Sequence, residues 1–183
     1  MGVHACVGGL TINSGKAVRL FDESGEYPMP DTYRVGQRWR MNLKKRKTVI
    51  PPHVEDVLVS SAEHIETTRN MKKAVLELVK PWMGSILETY EGKLTDTGQN
   101  YYLAKCDALP ACSTGFWIAD QQLLFRDGRY RTSDGHSIAF AGLDAPHEKI
   151  NRGELVRLSL AGWWNPNGIS KDRCYLQISG SFG

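Results

Sequence analysis

VGQRWRMNLKKRK, residues 35–47, alternates as a β-strand does and then runs into four cations. Successive strand side chains point to opposite faces, so Val35, Gln37, Trp39 and Met41 fall on one side and Gly36, Arg38, Arg40 and Asn42 on the other. One face is largely apolar and the other basic. Lys44, Lys45, Arg46 and Lys47 follow, and Pro51-Pro52 then leads into PPHVEDV (51–57). A strand here sets the fold class, because its neighbours read the same way.

Toward the N-terminus, VHACVGGL (3–10) and GKAVRLF (15–21) are short Val/Leu-rich runs bounded by Gly and Asn, and both read as strands. ESGEYPMPDTY between them and residue 35 is a turn-rich loop, and Val57, Leu58 and Val59 supply a further short strand. The middle of the chain changes period. In TTRNMKKAVLELVK (67–80), Met71, Val75, Leu78 and Val79 recur at helical spacing with Lys and Glu between them. Thr67 or Thr68 is the expected N-cap and Pro81 the stop. Strands then return at NYYLAKCDA (100–108), GFWIAD (115–120), QQLLFRD (121–127), HSIAFAG (136–142), ELVRLSLAGWW (154–164) and CYLQISGSF (174–182). DGR, SDG, NRG and NPNG punctuate them as turns. Short strands at such spacing imply small antiparallel barrels or sandwiches.

The chain has 183 residues, of which 41% are hydrophobic and 23% charged, enough apolar content for a core without staples. The net charge of +3 says less than its distribution. Residues 1–52 carry nine Lys/Arg against four Asp/Glu, 53–100 carry five against eight, and 101–183 carry nine against eight. The basic excess is a patch in the first quarter. The four cysteines (Cys6, Cys106, Cys112, Cys174) form no CxxC pair. No apolar run approaches the roughly 18 residues of a membrane helix, and MGVHACVGGL lacks the layout of a signal peptide. A cytoplasmic protein without membrane partners is expected.

The order of motifs resembles that of prokaryotic proteins described as dual OB domain-containing. It comprises the GKAVRL strand, VGQRWRMNL, PPHVEDV, a helix ending at Pro81-Trp82 with Gly84 beyond, and the terminal pair LVRLSLAGWW and CYLQISGSF. The resemblance implies two oligonucleotide-binding-type barrels and no catalytic residues. The expected architecture is therefore mainly β. Two small OB-like antiparallel barrels, residues 1–62 and 97–183, are joined by a helical connector over 63–96.

Several clusters carry possible chemistry. Lys44, Lys45, Arg46 and Lys47, with Arg38 and Arg40, form a cationic field beside Trp39. Cations neutralise phosphates and aromatic rings stack on any base, a combination suited to single strands. The competing reading is a solvated loop, or a patch masked by a partner's acids. Trp163 and Trp164 can put one indole inside and one outside if their strand continues, the outer one placed to stack on a base or seat a protein partner; the competing reading packs both at a barrel end beneath the NPNG turn. His53 and Glu55 share a strand face and Asp56 points away. A metal needs three or four convergent ligands, so these residues are better read as fixing a turn or pairing with the preceding cations. Cys106 and Cys112 have a five-residue spacer, longer than paired zinc ligands use. Neither a G-x-S-x-G elbow nor a phosphate-cradling loop occurs. The sequence thus points to non-catalytic binding of single-stranded DNA or RNA, without cofactor or metal. The alternative is a protein-interaction subunit of a larger prokaryotic assembly. A metal-dependent hydrolase at His53, Glu55 and Asp56 ranks third.

Overall fold

The computed structural model describes residues 6–105, 107–165 and 172–183. The chain divides into two compact units, Met1–Val79 and Lys80–Gly183, and each has its own sheet.

In the first unit, β1 (Val7–Leu10) and β2 (Ala17–Phe21) pair antiparallel. β4 (Asp56–Thr67) lies between β2, to which it is parallel, and β3 (Gln37–Lys45), to which it is antiparallel. The order is β1-β2-β4-β3. β4 is far longer than the Val57–Val59 strand expected. Its second half, residues 60–67, is exposed throughout and survives as a strand because β3 pairs with it as far as Gln37 opposite Thr67. Cross-strand contacts hold this ribbon: Arg38 with Glu66 and Arg40 with Glu63, each at 2.7 Å, and Asn42 Nδ2 donating to Ser61 Oγ at 2.8 Å. Opposite charges directly across a ladder favour pairing, and the ladder takes Thr67 into β4.

The helix is correspondingly shorter than 67–80. α1 spans Met71–Leu76, and Asn70, rather than Thr67 or Thr68, caps it, its side chain accepting from the Lys73 amide at 2.9 Å. Val75 is its buried residue. Glu77 and Leu78 continue as a turn, and Lys80 precedes a proline, a position that disfavours helical backbone.

The second unit opens with two 3-10 turns, Ile86–Glu88 and Tyr90–Gly92. There follow β5 (Thr95–Asp96), β6 (Tyr101–Ala104), β7 (Thr114–Ile118), β8 (Leu123–Arg126) and β9 (Arg129–Arg131). β10 (Ser137–Phe140), β11 (Lys149–Ile150), β12 (Leu155–Leu160) and β13 (Arg173–Phe182) complete the unit. The ladder runs β11-β8-β9-β10-β13-β12-β7, with β6 on β13 and β5 on β6. β13 is the hub. One edge pairs with β12; the other pairs first with β6 and then, in parallel, with β10. Cys174, Leu176 and Ile178 of β13 alternate into a core with Leu103, Trp117, Leu123, Tyr130, Ile138, Val156 and Leu158. Buried polar tips are satisfied there: Tyr130 Oη donates to the His147 carbonyl at 2.9 Å and Trp117 Nε1 to the Gly84 carbonyl at 3.0 Å.

Among the described residues neither ladder closes, so the structure holds two open sheets in place of barrels, and each contains one parallel pair. In the first unit β3 is an edge strand. In the second, the outer edge of β7 is taken by Trp82 rather than by a strand: the Trp82 amide donates to the Phe116 carbonyl at 2.8 Å and its carbonyl accepts from Ile118 at 3.0 Å. The indole lies across Gly115, where a Cβ would stand 2.2 Å from the ring. Only a glycine permits that approach.

Candidate nucleic-acid interface

The cations of the first unit fall into two groups. Arg38 and Arg40 are tied to glutamates of β4, as above, so the distal ribbon is electrically balanced. Lys44, Lys45 and Lys47 are exposed and have no ion-pair partner among the described residues. Arg46 turns inward. Its guanidinium lies 4.4 Å from the centre of the Phe21 ring and its Nη1 is 3.7 Å from Asp56 Oδ2. Trp39 is half-buried, edge-on to Tyr33 at 5.2 Å and to His64 at 5.1 Å, with Nε1 donating to Gln37 Oε1 at 3.2 Å. It is a packed ring rather than an open platform. The basic patch read from sequence therefore narrows to three lysines at and just beyond the C-terminal end of β3.

Arg46 joins the two halves of NLKKRKTVIPPHVEDV (42–57) to each other. Pro51-Pro52 is a cis bond, and the turn after it buries His53, Glu55 and Asp56. Asp56 Oδ1 accepts from Arg19 Nε at 2.7 Å and lies 2.6 Å from Arg19 Nη2, while Arg19 Nη1 stands 3.5 Å from His53 Nδ1. Burial works against the charge on Arg19, but Asp56 outweighs it and holds the guanidinium protonated more firmly than usual. Of the residues that suggested a metal or hydrolytic site, Asp56 is held in a buried ion network by Arg19 and Arg46, with His53 beside Arg19. No group of three or more metal-ligand side chains converges among the described residues.

In the second unit the two tryptophans separate, but not because a strand continues through them: β12 ends at Leu160. Trp163 packs against the core, whereas Trp164 is 53% exposed. Trp164 and Arg173 exchange backbone hydrogen bonds at 3.0 and 3.1 Å, which fixes the indole beside β13. Around it stand Tyr175, with ring centres 5.9 Å apart, and Tyr102, 6.0 Å beyond Tyr175. The Arg173 guanidinium lies 4.6 Å from the centre of the Tyr102 ring. Lys105 bonds Asp172 at 2.6 Å and sits 5.9 Å from the Trp163 ring.

His136, at the turn into β10, is nearly buried, stacked on Tyr101 at 4.8 Å, with Asp96 2.7 Å from Nε2 and Asp134 3.2 Å from Nδ1. Burial opposes its protonation, yet the two carboxylates prevail and its pKa lies above the ordinary value. Carboxylates on opposite ring nitrogens make a structural clasp, not a convergent ligand set. Cys106 lies outside the described residues. Cys174 is buried, which pushes its thiol up to about 12.

The family model of the dual OB-containing domain matches residues 1–181. The chain belongs to the dual OB-containing domain family. No curated protein and no solved structure matches it.

The stretches that carried the resemblance have clear structural roles in this dual OB-containing chain. PPHVEDV buries the ion network that anchors Arg46, and Pro81-Trp82 with Gly84 covers the edge of β7. No helix of the described residues is long and apolar enough to cross a membrane. The reading of Trp163 and Trp164 from sequence overlooked their neighbours Tyr102, Lys105, Arg173 and Tyr175. The signal was present. In YYLA and RCYLQ the residues alternating with core positions 101, 103, 174 and 176 include the outward-facing Tyr102, Tyr175 and Arg173.

Proposed function

We propose that this protein binds single-stranded DNA or RNA in the cytoplasm without catalysing a reaction on it. The observation that carries this reading is the division of the cations of β3 and the segment after it: Lys44, Lys45 and Lys47 stay exposed and unmatched by acids among the described residues, while Arg38, Arg40 and Arg46 are engaged in ion pairs. Unmatched ammonium groups on an exposed segment attract phosphates and release counterions when they bind them. OB-type folds commonly present such surfaces to oligonucleotides. Binding rather than catalysis is favoured because Asp56, in the cluster that looked most chemical, is already engaged by Arg19 and Arg46. The test is binding of labelled single-stranded DNA, RNA and duplex over a salt series. Single strands should bind best and weaken steeply with salt; no binding at low salt would refute the proposal.

A second reading, a protein-interaction subunit of a larger assembly, is favoured by the β3–β4 ribbon. There Arg38 and Arg40 are neutralised while Leu43 and Ile65 remain 39% and 48% exposed. A balanced surface with exposed apolar side chains suits a protein partner better than a phosphate chain. Co-purification of a partner that is lost on Leu43→Ser and Ile65→Ser substitution would support it.

A further inference from the structure

We infer that the outer face of β6 and β13 in the second unit is a base-stacking site for an extended single strand, formed by Trp164, Tyr175 and Tyr102 with Arg173 and Lys105. The inference rests on the nucleic-acid reading above and adds where the bases go.

The sequence builds this face by alternation. Tyr101 and Leu103 point into the core, so Tyr102 between them points out; Cys174 and Leu176 do the same for Tyr175. Tyr102 and Tyr175 are direct cross-strand partners, and Arg173 shares the face of Tyr175, two residues away. The backbone bridge from Trp164 to Arg173 adds a third ring to the row. All three rings are set by paired backbone, so little ordering is left to cost affinity when a ligand binds.

Geometry and charge both select the ligand. The rings stand 5.9 and 6.0 Å apart and are tilted by 67° and 46°, so they do not stack face to face on one another. That spacing is well beyond the roughly 3.4 Å rise per base of a duplex strand. A strand engaging successive rings must have its bases pulled apart, which a duplex resists. Arg173 has no carboxylate partner among the described residues, and its Nε is buried without a hydrogen-bond partner. Its Nη1 donates to Tyr175 Oη at 3.4 Å, and what it offers a phosphate is the positive charge that no described carboxylate neutralises. Lys105, its side chain 57% exposed, extends the positive field despite its contact with Asp172. Aromatic rings interleaved with cations are the surface on which single strands stack.

The test measures binding of labelled oligo(dT) and oligo(rU), roughly 12 nucleotides long to fill one OB-type site, by fluorescence anisotropy across a salt series. Trp164→Ala should weaken binding roughly 5- to 150-fold, the loss expected for one stacked base, while leaving the salt slope unchanged. Trp164→Phe should retain most of the affinity. Arg173→Gln, which leaves the aromatic row in place, should weaken binding and lower the slope. Wild-type binding matched by Trp164→Ala, Tyr102→Ala and Arg173→Gln would overturn this site and leave the wider function standing. No binding by the wild-type protein would overturn both.

Discussion

Replacing Asp56 with alanine removes the carboxylate shared by two arginines. Arg19 contacts it at 2.6 and 2.7 Å, and the two side chains are only 15% and 8% exposed. Deleting one partner of a buried pair costs about 3–5 kcal/mol, because the remaining charge stays desolvated without compensation. Here a second guanidinium, Arg46 at 3.7 Å, is left facing the first, so the upper part of that range applies. Arg46→Ala is much milder. It gives up a long ion pair on a side chain 37% exposed, worth about 0–1 kcal/mol, and a cation–π contact with Phe21 worth about 0.5–2 kcal/mol. Its total should be about 1–2 kcal/mol. Urea denaturation with hydrogen exchange followed in β2 and β4 measures both. Against a typical stability of about 5–15 kcal/mol, Asp56→Ala should strip protection from the first unit, while Arg46→Ala shifts it modestly. A loss below about 1 kcal/mol for Asp56→Ala, or equal losses for the two variants, would refute the buried network.

Gly115→Ala should destabilise the second unit by at least about 1–3 kcal/mol, the usual cost of overpacking, by expelling Trp82. In a Trp82→Ala background the same change should cost almost nothing, which a double-mutant cycle in urea would read. Glu63→Gln with Glu66→Gln frees Arg38 and Arg40, so single-strand affinity at low salt should rise and its salt slope steepen in a filter-binding assay. The clasp at His136 gives a pH signature. The folded pKa of His136 lies above its ordinary 6.5, so its contribution is fully present below 6.5 and fades as pH rises through the folded value. Asp134, held below 3.8 by the neighbouring Thr132 and His136, contributes above 3.8 and loses that contribution as pH falls further. Thermal melts of the wild-type protein should exceed those of His136→Asn by most between about 4 and 6.5, and the difference should shrink toward pH 9.

Where burial was one-sided, the fold was legible. β12 and β13 alternate because one face meets the core. The second half of β4 was illegible because SSAEHIET is exposed throughout and carries no apolar period; its pairing with β3 and its contacts with Arg38, Arg40 and Asn42 make it a strand. β5, β9 and β11 span two or three residues, too short for any period to register, and the RYR of β9 merges with its flanking DGR turn. For the candidate site, the sequence located the cations but could not tell paired from unpaired. That distinction depends on Glu63, Glu66 and Asp56, which are ten or more residues away and reach the cations only through strand pairing. Likewise Tyr102 and Tyr175 are 73 positions apart in sequence and become neighbours only across the β6–β13 ladder.

The most direct measurement of the central claim is the salt dependence of single-strand binding for the wild-type protein and for Lys44→Ala/Lys45→Ala/Lys47→Ala. Each phosphate contact contributes about 0.7 to the slope of log K against log salt for a single strand. If the three lysines meet phosphates, the triple variant should bind more weakly at low salt, with a slope shallower by about 2, at unchanged stability. Identical slopes for the two proteins would contradict the account.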